Sequence, residues 1–457
     1  MVTFIDRPIV ERLALIFAAA SALLVTLTAI PGYFSHDELV WLDRIRSDNS
    51  GWGLGLANLY HSPFFRPLGA LAISSALRLP LQPFAAHIAS VFLQSLNCCL
   101  LYLLVSRLWP NRALAAALFF AVMPGTAFAV GWVAASFDLL FVFFALASLA
   151  AAINFWRGQH WVWGGLAGMA FCAGLLCKET ALAIPLAAAI VLHCESARAN
   201  PRRIALLATA AVAVVTIYGF LRFPMLLRMG TGAGGSDPAS AGYEFAAIGA
   251  IATNGLAYFG FPFAVKMAEI TGFENQSLSA ILACTAAHLL IIFILWHRYG
   301  KPAPLFYVTG YFLPLLPVLI ISKYETQYIY ASSIALSVAI ALIWTSRLFY
   351  AIPTLVLGTI LALHGFRIQH SMYTTGACQT RALQTTGAVL PFVRALGPAI
   401  VYGADNTPWW VLARALTEHT FQVDDRNISV VLSHRVEGAS LNFSANCAVT
   451  PIGRLVQ

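Results

Sequence analysis

The sequence predicts an all-α polytopic membrane protein of about eleven transmembrane helices, with a small extracytoplasmic α/β segment at its C-terminus. Three observations predict it. Of 457 residues, 60% are hydrophobic and only 10% charged, with a mean hydropathy of +0.77, whereas soluble domains carry about 25% charged residues. Apolar runs of about 20 residues recur, each long enough to cross the hydrocarbon as a helix. The charges collect in the turns between them, until the pattern is lost from about Arg367 to Gln457.

The first run, Leu13 to Ile30, follows Arg7 and Arg12. It is too long for a signal-peptide core and lacks a small-x-small cleavage site, so it reads as a retained span with the N-terminus inside. Pro31 to Arg78 is a long polar and aromatic loop, acidic at its start and containing Phe65-Arg66-Pro67. Pro83 to Ser106, Ala113 to Val130 and Phe137 to Phe155 are the next spans. Trp161 to Cys177 and Thr180 to His193 follow, separated by Lys178-Glu179, and then Ile204 to Arg222. A glycine-rich stretch after it reads as a connector. Phe245 to Val265 is apolar but holds Asn254, glycines and Pro262, and reads either as a span or as an interfacial or re-entrant segment. Leu278 to Trp296, Pro304 to Ile321, Tyr328 to Trp344 and Leu348 to Phe366 complete the set. The expected division is 1–366 as the transmembrane domain, with 31–80 as its catalytic first outer loop, and 367–457 as a small C-terminal domain.

Charge supports this topology. Arg107, Arg112, Arg157, Arg198, Arg202, Arg203, Arg298, Lys301 and Arg347 fall on inside turns, and most acids fall outside. An odd span count puts the tail outside. The net charge of +8 is accounted for by these turns. No basic stripe with interleaved aromatics lies on a soluble segment, so no nucleic-acid partner is expected. In the tail, residues near 380–396 look helical, Ala399 to Ala404 looks like a strand, Trp409 to Glu418 a helix, and Ile428 to Ser433 a strand. Six of eight cysteines lie in or at the ends of apolar runs, without zinc or haem spacing. Cys378 and Cys447 in the tail could pair if it faces an oxidising compartment.

Candidate chemistry gathers at one face. Asp37 and Glu38 stand just past the first span, where a carboxylate suits deprotonation of a hydroxyl; Asp37 would equally serve as a helix N-cap. Asp138 re-enters the membrane at the start of the fourth span, where an acid is costly unless paired or hydrated. Its alternative is a helix N-cap favoured by the helix dipole. Lys178 is a compact cation within reach of a lipid phosphate, with Glu179 to orient or balance it; an ordinary snorkelling lysine is the plainer reading. Arg66 offers a guanidinium for bidentate phosphate contact. Lys323, Glu325, Tyr328 and Tyr330 make a polar, aromatic stretch at an outer mouth, where tyrosines also serve as interfacial anchors. No P-loop, no GxGxxG in a βαβ context and no His-rich metal cluster occurs.

In these stretches the chain resembles the GT-C superfamily of polytopic glycosyltransferases. The likeness is to bacterial relatives of the protein O-mannosyltransferases and of the transmembrane-and-TPR O-mannosyltransferases. It is carried by SHDELVWLD, by FRPLGALAISSALRLPLQPF and the span after it, by GWVAASFDLLFVFFALASL with GLLCKETALAIP, and by QYIYASSIALS, in family order over roughly 31–340. The resemblance implies a polyprenyl-phosphate-linked sugar donor, a bacterial inner-membrane location and an extracytoplasmic active site. It makes Asp37 the catalytic base and matches Asp138 to the family's acid at the opening of the fourth span; Glu38, beside Asp37, completes the expected catalytic set. It matches Arg66, Lys178 and Glu179 to family positions, and these, with Lys323, Glu325, Tyr328 and Tyr330, are the residues expected to bind the lipid phosphate and sugar. The arginine that the family places before its tyrosines is Gln327 here, with Lys323 the nearby cation, and the tail has no TPR signature.

The expected function is transfer of one hexosyl or pentosyl unit to a hydroxyl of a surface glycan, of lipid A or O-antigen, or of a protein. Membrane lipid, the lipid-linked donor and that acceptor are the expected partners; no cofactor or metal is required, and the oligomeric state is left open. The rival expectations are a lipid or solute transporter, which favours mid-membrane charges and paired broken helices, and an O-antigen ligase or polymerase.

Overall fold

The computed structural model describes residues 7–32, 38, 41–42, 45, 65–195, 200–230, 248–264, 278–320, 326–344, 348–392, 399–403, 421–423, 426–433, 440–444 and 446–452. Among these, seven helices are long and apolar enough to cross a membrane, or eight if one bent pair is a single span. Shorter apolar helices occupy other expected spans.

The chain enters through α1 (Arg7–Leu24) and, within the expected first loop, forms the buried helix α2 (Pro67–Leu77). Next, α3 (Phe84–Leu108) packs against α1, α4 (Ala113–Val122) and α6 (Ser136–Trp156). Between α4 and α6 lies the short α5 (Pro124–Gly131). Ala113 to Val130, expected as one span, is therefore two helices, bent by 55°. The cause is Pro124, which has no N–H to offer the carbonyl of Phe120. The Thr126 hydroxyl donates to that carbonyl instead, at 2.7 Å.

Two shorter helices, α7 (Val162–Leu175) and α8 (Ile184–Glu195), flank the Lys178-Glu179 break. The 30-residue α9 (Pro201–Gly230) follows. The undecided segment 245–265 is α10 (Ile248–Gly260) ending in a buried 3-10 turn, Phe261–Phe263. Pro262 robs the carbonyl of Tyr258, and Tyr311 supplies the donor at 2.6 Å. His288 Nε2 sits 2.6 Å from the neighbouring Phe259 carbonyl. Buried side chains thus satisfy a helix end that hydrocarbon could not. They come from α11 (Leu278–Tyr299) and α12 (Pro302–Phe312), which are followed by α13 (Leu316–Leu319) and α14 (Ser332–Ile343).

The basic turns cap helix ends. Arg203 donates to the Phe155 carbonyl at 3.0 Å, and Arg298 to the Leu342 and Ile343 carbonyls at 3.0 and 2.7 Å. These are last-turn carbonyls of α6 and α14, where an intrahelical donor is lacking and a cation is favoured.

The final helix, α15 (Leu348–Val389), runs for 42 residues, about 63 Å at 1.5 Å per residue. The helix expected near 380–396 is thus no separate element but the projecting end of the last span. Beyond it, β1 (Ala399–Gly403) pairs in parallel with β4 (Val430–Ser433) and β5 (Leu441–Phe443), and β6 (Val449–Pro451) closes the order β4-β1-β5-β6. A two-stranded hairpin joins β2 (Phe421–Val423) and β3 (Arg426–Ile428). Ile428 to Ser433, expected as one strand, is split between β3 and β4. The helix expected at Trp409 to Glu418 lies outside the described residues. Ala382 and Leu390 from the projecting helix share a small core with Val401, Val430, Leu441 and Phe443. Cys378 on α15 is disulfide-bonded to Cys447.

Candidate functional site

Where α7 ends, its Leu176 carbonyl has no intrahelical N–H to accept from. It meets the free N-terminal amides of α2 instead: Leu68 N and Gly69 N lie 3.1 and 3.4 Å away. Pro67 occupies the first position of α2, where a missing N–H is harmless. The two helix ends therefore complete one another, and this sets Arg66 beside Lys178-Glu179. Gly69 allows the approach, because a Cβ there would stand 2.2 Å from the Phe137 ring.

Two ion pairs follow from that junction. Arg66 and Glu179 form a forked pair, with Nη2 to Oε2 at 2.7 Å and Nε to the two oxygens at 3.1 and 3.2 Å. Lys178 pairs with Asp138 in the first turn of α6. The Lys178 and Asp138 side chains are 4% and 9% exposed, and those of Arg66 and Glu179 are 20% and 27%. The inner pair is sealed in the bundle, and the outer pair opens beside it. Aromatic faces border both cations: Tyr328 lies 4.7 Å from Lys178 Nζ, and Phe137 lies 5.6 Å from the Arg66 guanidinium. Such faces attract cations through the ring quadrupole.

The first loop reaches the same place. Glu38 is fully buried and accepts the Ala134 N–H at 3.3 Å, in the 3-10 turn that leads into α6. Trp41 packs on Phe137 with ring centroids 5.8 Å apart. Asp37, Lys323 and Glu325 lie outside the described residues. Tyr330 does not join its neighbour Tyr328. Its hydroxyl is buried between Gln94 and Asn97, the latter at 2.8 Å, and its ring stacks on Phe120. It ties α3 to α14. Gln327 is buried in the 3-10 turn Thr326–Ile329.

Two residues near the pairs carry no motif in the sequence. Arg222 on α9 is 5% exposed, with its guanidinium 5.9 Å from the Phe65 ring. One turn earlier, the Tyr218 hydroxyl stands within electrostatic reach of Glu179, Arg222 and Arg66. The available signal was their i, i+4 spacing at the end of an apolar run, which places both on one helix face. Among the described residues, no group of three or more His, Cys, Asp or Glu side chains is placed to hold a metal ion.

The site lies in the first turn of α6, about 26 Å along that 21-residue helix from the end that Arg203 caps. It gathers two cations and two carboxylates as ion pairs in an apolar surround.

Residues 63–222 match the family model described as dolichyl-phosphate-mannose-protein mannosyltransferase. That segment contains Arg66, Asp138, Lys178 and Glu179. No curated protein matches the chain. Among solved structures, the chain is similar to ArnT from Cupriavidus metallidurans bound to undecaprenyl phosphate, at 13% identity and a TM-score of 0.45, over 88% of this chain and 84% of that one.

Proposed function

We propose that this chain is a membrane glycosyltransferase of the GT-C superfamily that uses a polyprenyl-linked donor, and that it transfers one hexosyl or pentosyl unit, with inversion, to a hydroxyl on the extracytoplasmic side of a bacterial inner membrane; the family-model match over residues 63–222 supports this reading. The observation that carries the site assignment is the convergence of Arg66, Asp138, Lys178 and Glu179, from the starts of α2 and α6 and the break between α7 and α8, around one junction inside the matched segment.

The chemistry follows from the groups available. Asp37 takes the proton of the acceptor hydroxyl as its oxygen attacks the anomeric carbon. The bond from that carbon to the phosphate oxygen breaks, and polyprenyl phosphate leaves with the electron pair. Arg66, held open by Glu179, meets the phosphate as its charge grows, and Lys178 adds positive potential from within. Glu38 fixes the loop that carries Asp37 by accepting the Ala134 N–H. A phosphate is an adequate leaving group, so this reading calls for no metal. The Cys378–Cys447 disulfide agrees with a tail in an oxidising compartment.

The acceptor is a sugar of a surface glycan, of lipid A or O-antigen, or a protein hydroxyl. Glycan analysis of envelope material from a strain lacking the gene, complemented with wild type or Asp37→Asn, tests the whole reading. One missing sugar, restored by wild type alone, is expected and names donor and acceptor together. Restoration by Asp37→Asn removes Asp37 as the base. An unchanged glycome with the gene expressed turns the function toward lipid or solute transport.

A further inference from the structure

The last helix, α15, presents one face to the root of the first loop and to the helix that leads into α6. Gly365, Gln369, Met372, Gly376 and Gln379 recur at steps of four, three, four and three residues, which keeps them on that face, and all five are buried. Gln369 Oε1 accepts the Thr26 hydroxyl at 2.6 Å, just beyond the end of α1. Met372 Sδ occupies the place of a Cβ at Gly131, the last residue of α5. Gly376, about 6 Å further along at 1.5 Å per residue, lies against Ile30, Pro31 and Gly32, where the first loop begins.

The contact at Gly376 is backbone against backbone. A Cβ there would stand 2.5 Å from Ile30 Cγ2 and 3.5 Å from Gly32 N. A Cβ at Gly32 would stand 2.8 Å from the Gly376 carbonyl oxygen and 2.6 Å from Thr380 Oγ1. Neither residue can carry a side chain without moving the other. Small residues of this kind let backbones approach closely inside a membrane bundle. Hydrogen bonds hold the crossing. The Thr380 hydroxyl donates to the Pro31 carbonyl at 3.1 Å, and His87 Nε2 on α3 lies 3.2 Å from the Gly32 carbonyl.

One helix face thereby backs two anchors of the first loop. The first is Gly32. The second is Glu38, which accepts the N–H of Ala134, three residues after Gly131. Asp37 stands between these anchors in the sequence. A shift of α15 at either contact moves one anchor relative to the other. We propose that Gly376 is a positioning residue for the base: α15 clasps the root of the first loop there and sets where Asp37 meets the acceptor hydroxyl. The inference rests on the role given to Asp37 above and adds the helix that aims it. Arg66 and Lys178 are placed by the α2–α7 junction instead, so the donor phosphate is held independently of the clasp.

That independence gives the test. Gly376→Ala displaces the clasp, while Gly358→Ala adds the same methyl to the same helix away from the loop, 3.1 Å from Phe119 Cε1. Transfer is read as the initial rate at which the missing sugar returns to envelope material of the deletion strain after induction, at matched protein level. Undecaprenyl phosphate binding is measured on the purified full-length protein in detergent. A misplacement of about 1 Å costs on the order of 10²-fold in rate. Gly376→Ala is expected to slow transfer by about that factor with undecaprenyl phosphate binding unchanged, and Gly358→Ala to keep both. Ile30→Leu removes the Cγ2 methyl that the new Cβ meets, and should restore part of the rate in Gly376→Ala. Thr380→Val deletes the bond to the Pro31 carbonyl with little change of shape, and should slow transfer about three- to tenfold, the weight of one hydrogen bond. Parallel loss of binding and transfer in Gly376→Ala assigns Gly376 to packing and overturns the proposal. So does unchanged transfer in Gly376→Ala, or in Thr380→Val where Gly376→Ala does not fold. Full transfer by Asp37→Asn removes the base itself, and wild type that neither binds undecaprenyl phosphate nor returns the sugar sinks the transferase reading; either result takes the clasp's role with it.

Discussion

Arg66 Nη2 lies 2.7 Å from Glu179 Oε2, while Lys178, next to Glu179 in the chain, pairs with Asp138. Two adjacent residues in one helix break therefore grip the start of α2 and the start of α6. The pairs differ in exposure, and the difference separates their roles. A sealed pair is dominated by the penalty of leaving one charge alone. A half-open pair loses little stability when cut, and its charges can still reach a ligand.

For the sealed pair, Lys178→Ala strands the Asp138 carboxylate. Breaking a buried pair in this way costs about 3–5 kcal/mol, whereas replacing both partners with apolar groups is often neutral. The thermal midpoint of the purified protein should fall sharply in Lys178→Ala and largely recover in Lys178→Met combined with Asp138→Leu. Sugar transfer should stay lost in both. An active double variant would show that this pair only holds helices together.

For the half-open pair, Arg66→Ala should cost under about 1 kcal/mol, since its partner keeps access to water. Transfer should fall by about 10²-fold, the usual loss on removing one preorganised charge partner of a transition state. Arg66→Lys should recover part of it, because the charge returns without the fork. Equal losses of stability and transfer would assign Arg66 to packing.

The charges that meet at the α2–α7 junction were more legible in the sequence than the scaffold around them. Arg66, Asp138, Lys178 and Glu179 stood out because a charge between apolar runs needs a reason, and the structure gathers all four. It could not tell which cation meets which acid, since that depends on the α2–α7 junction. Tyr330 read like Tyr328, because the motif does not say that one faces Lys178 and the other Gln94. The bend at Met123 was foreseeable from Pro124, yet the hydropathy of the run hid it. Arg222 looked like a flanking cation because its place beside Phe65 depends on how α9 packs. The tail strands β5 and β6 are three residues each, too short for periodicity to register.

Gly69→Ala tests the junction directly. The added methyl would stand 2.2 Å from Cδ1 and 2.6 Å from Cε1 of Phe137, with the Cys177 carbonyl 3.3 Å away. The ring is packed against Trp41 and Arg66, so α2 must shift. Overpacking of this kind costs about 1–3 kcal/mol. Transfer should fall further than that loss of stability explains, because α2 carries Arg66 at its N-terminus. Phe137→Leu in the same chain should restore part of both. Full activity in Gly69→Ala would mean that the close approach does not position Arg66.

The disulfide predicts both tail stability and sidedness. Cys378 and Cys447 enclose a separation of 69 residues and join the projecting end of α15 to the strand edge beside β6. The Val449 N–H donates to Thr385 Oγ1 at 2.9 Å next to it. A native cross-link of this loop length contributes about 2–4 kcal/mol, chiefly by restricting the unfolded chain. Cys378→Ser should therefore make the tail sensitive to limited proteolysis while the transmembrane helices stay protected. The six other cysteines are free thiols, so labelling is best read in a chain keeping only Cys378 and Cys447. In intact spheroplasts, a membrane-impermeant maleimide should modify that chain only after reduction. Labelling without reductant would exclude the bond, and labelling that needs a permeabilised membrane would place the tail inside and reverse the orientation of the site.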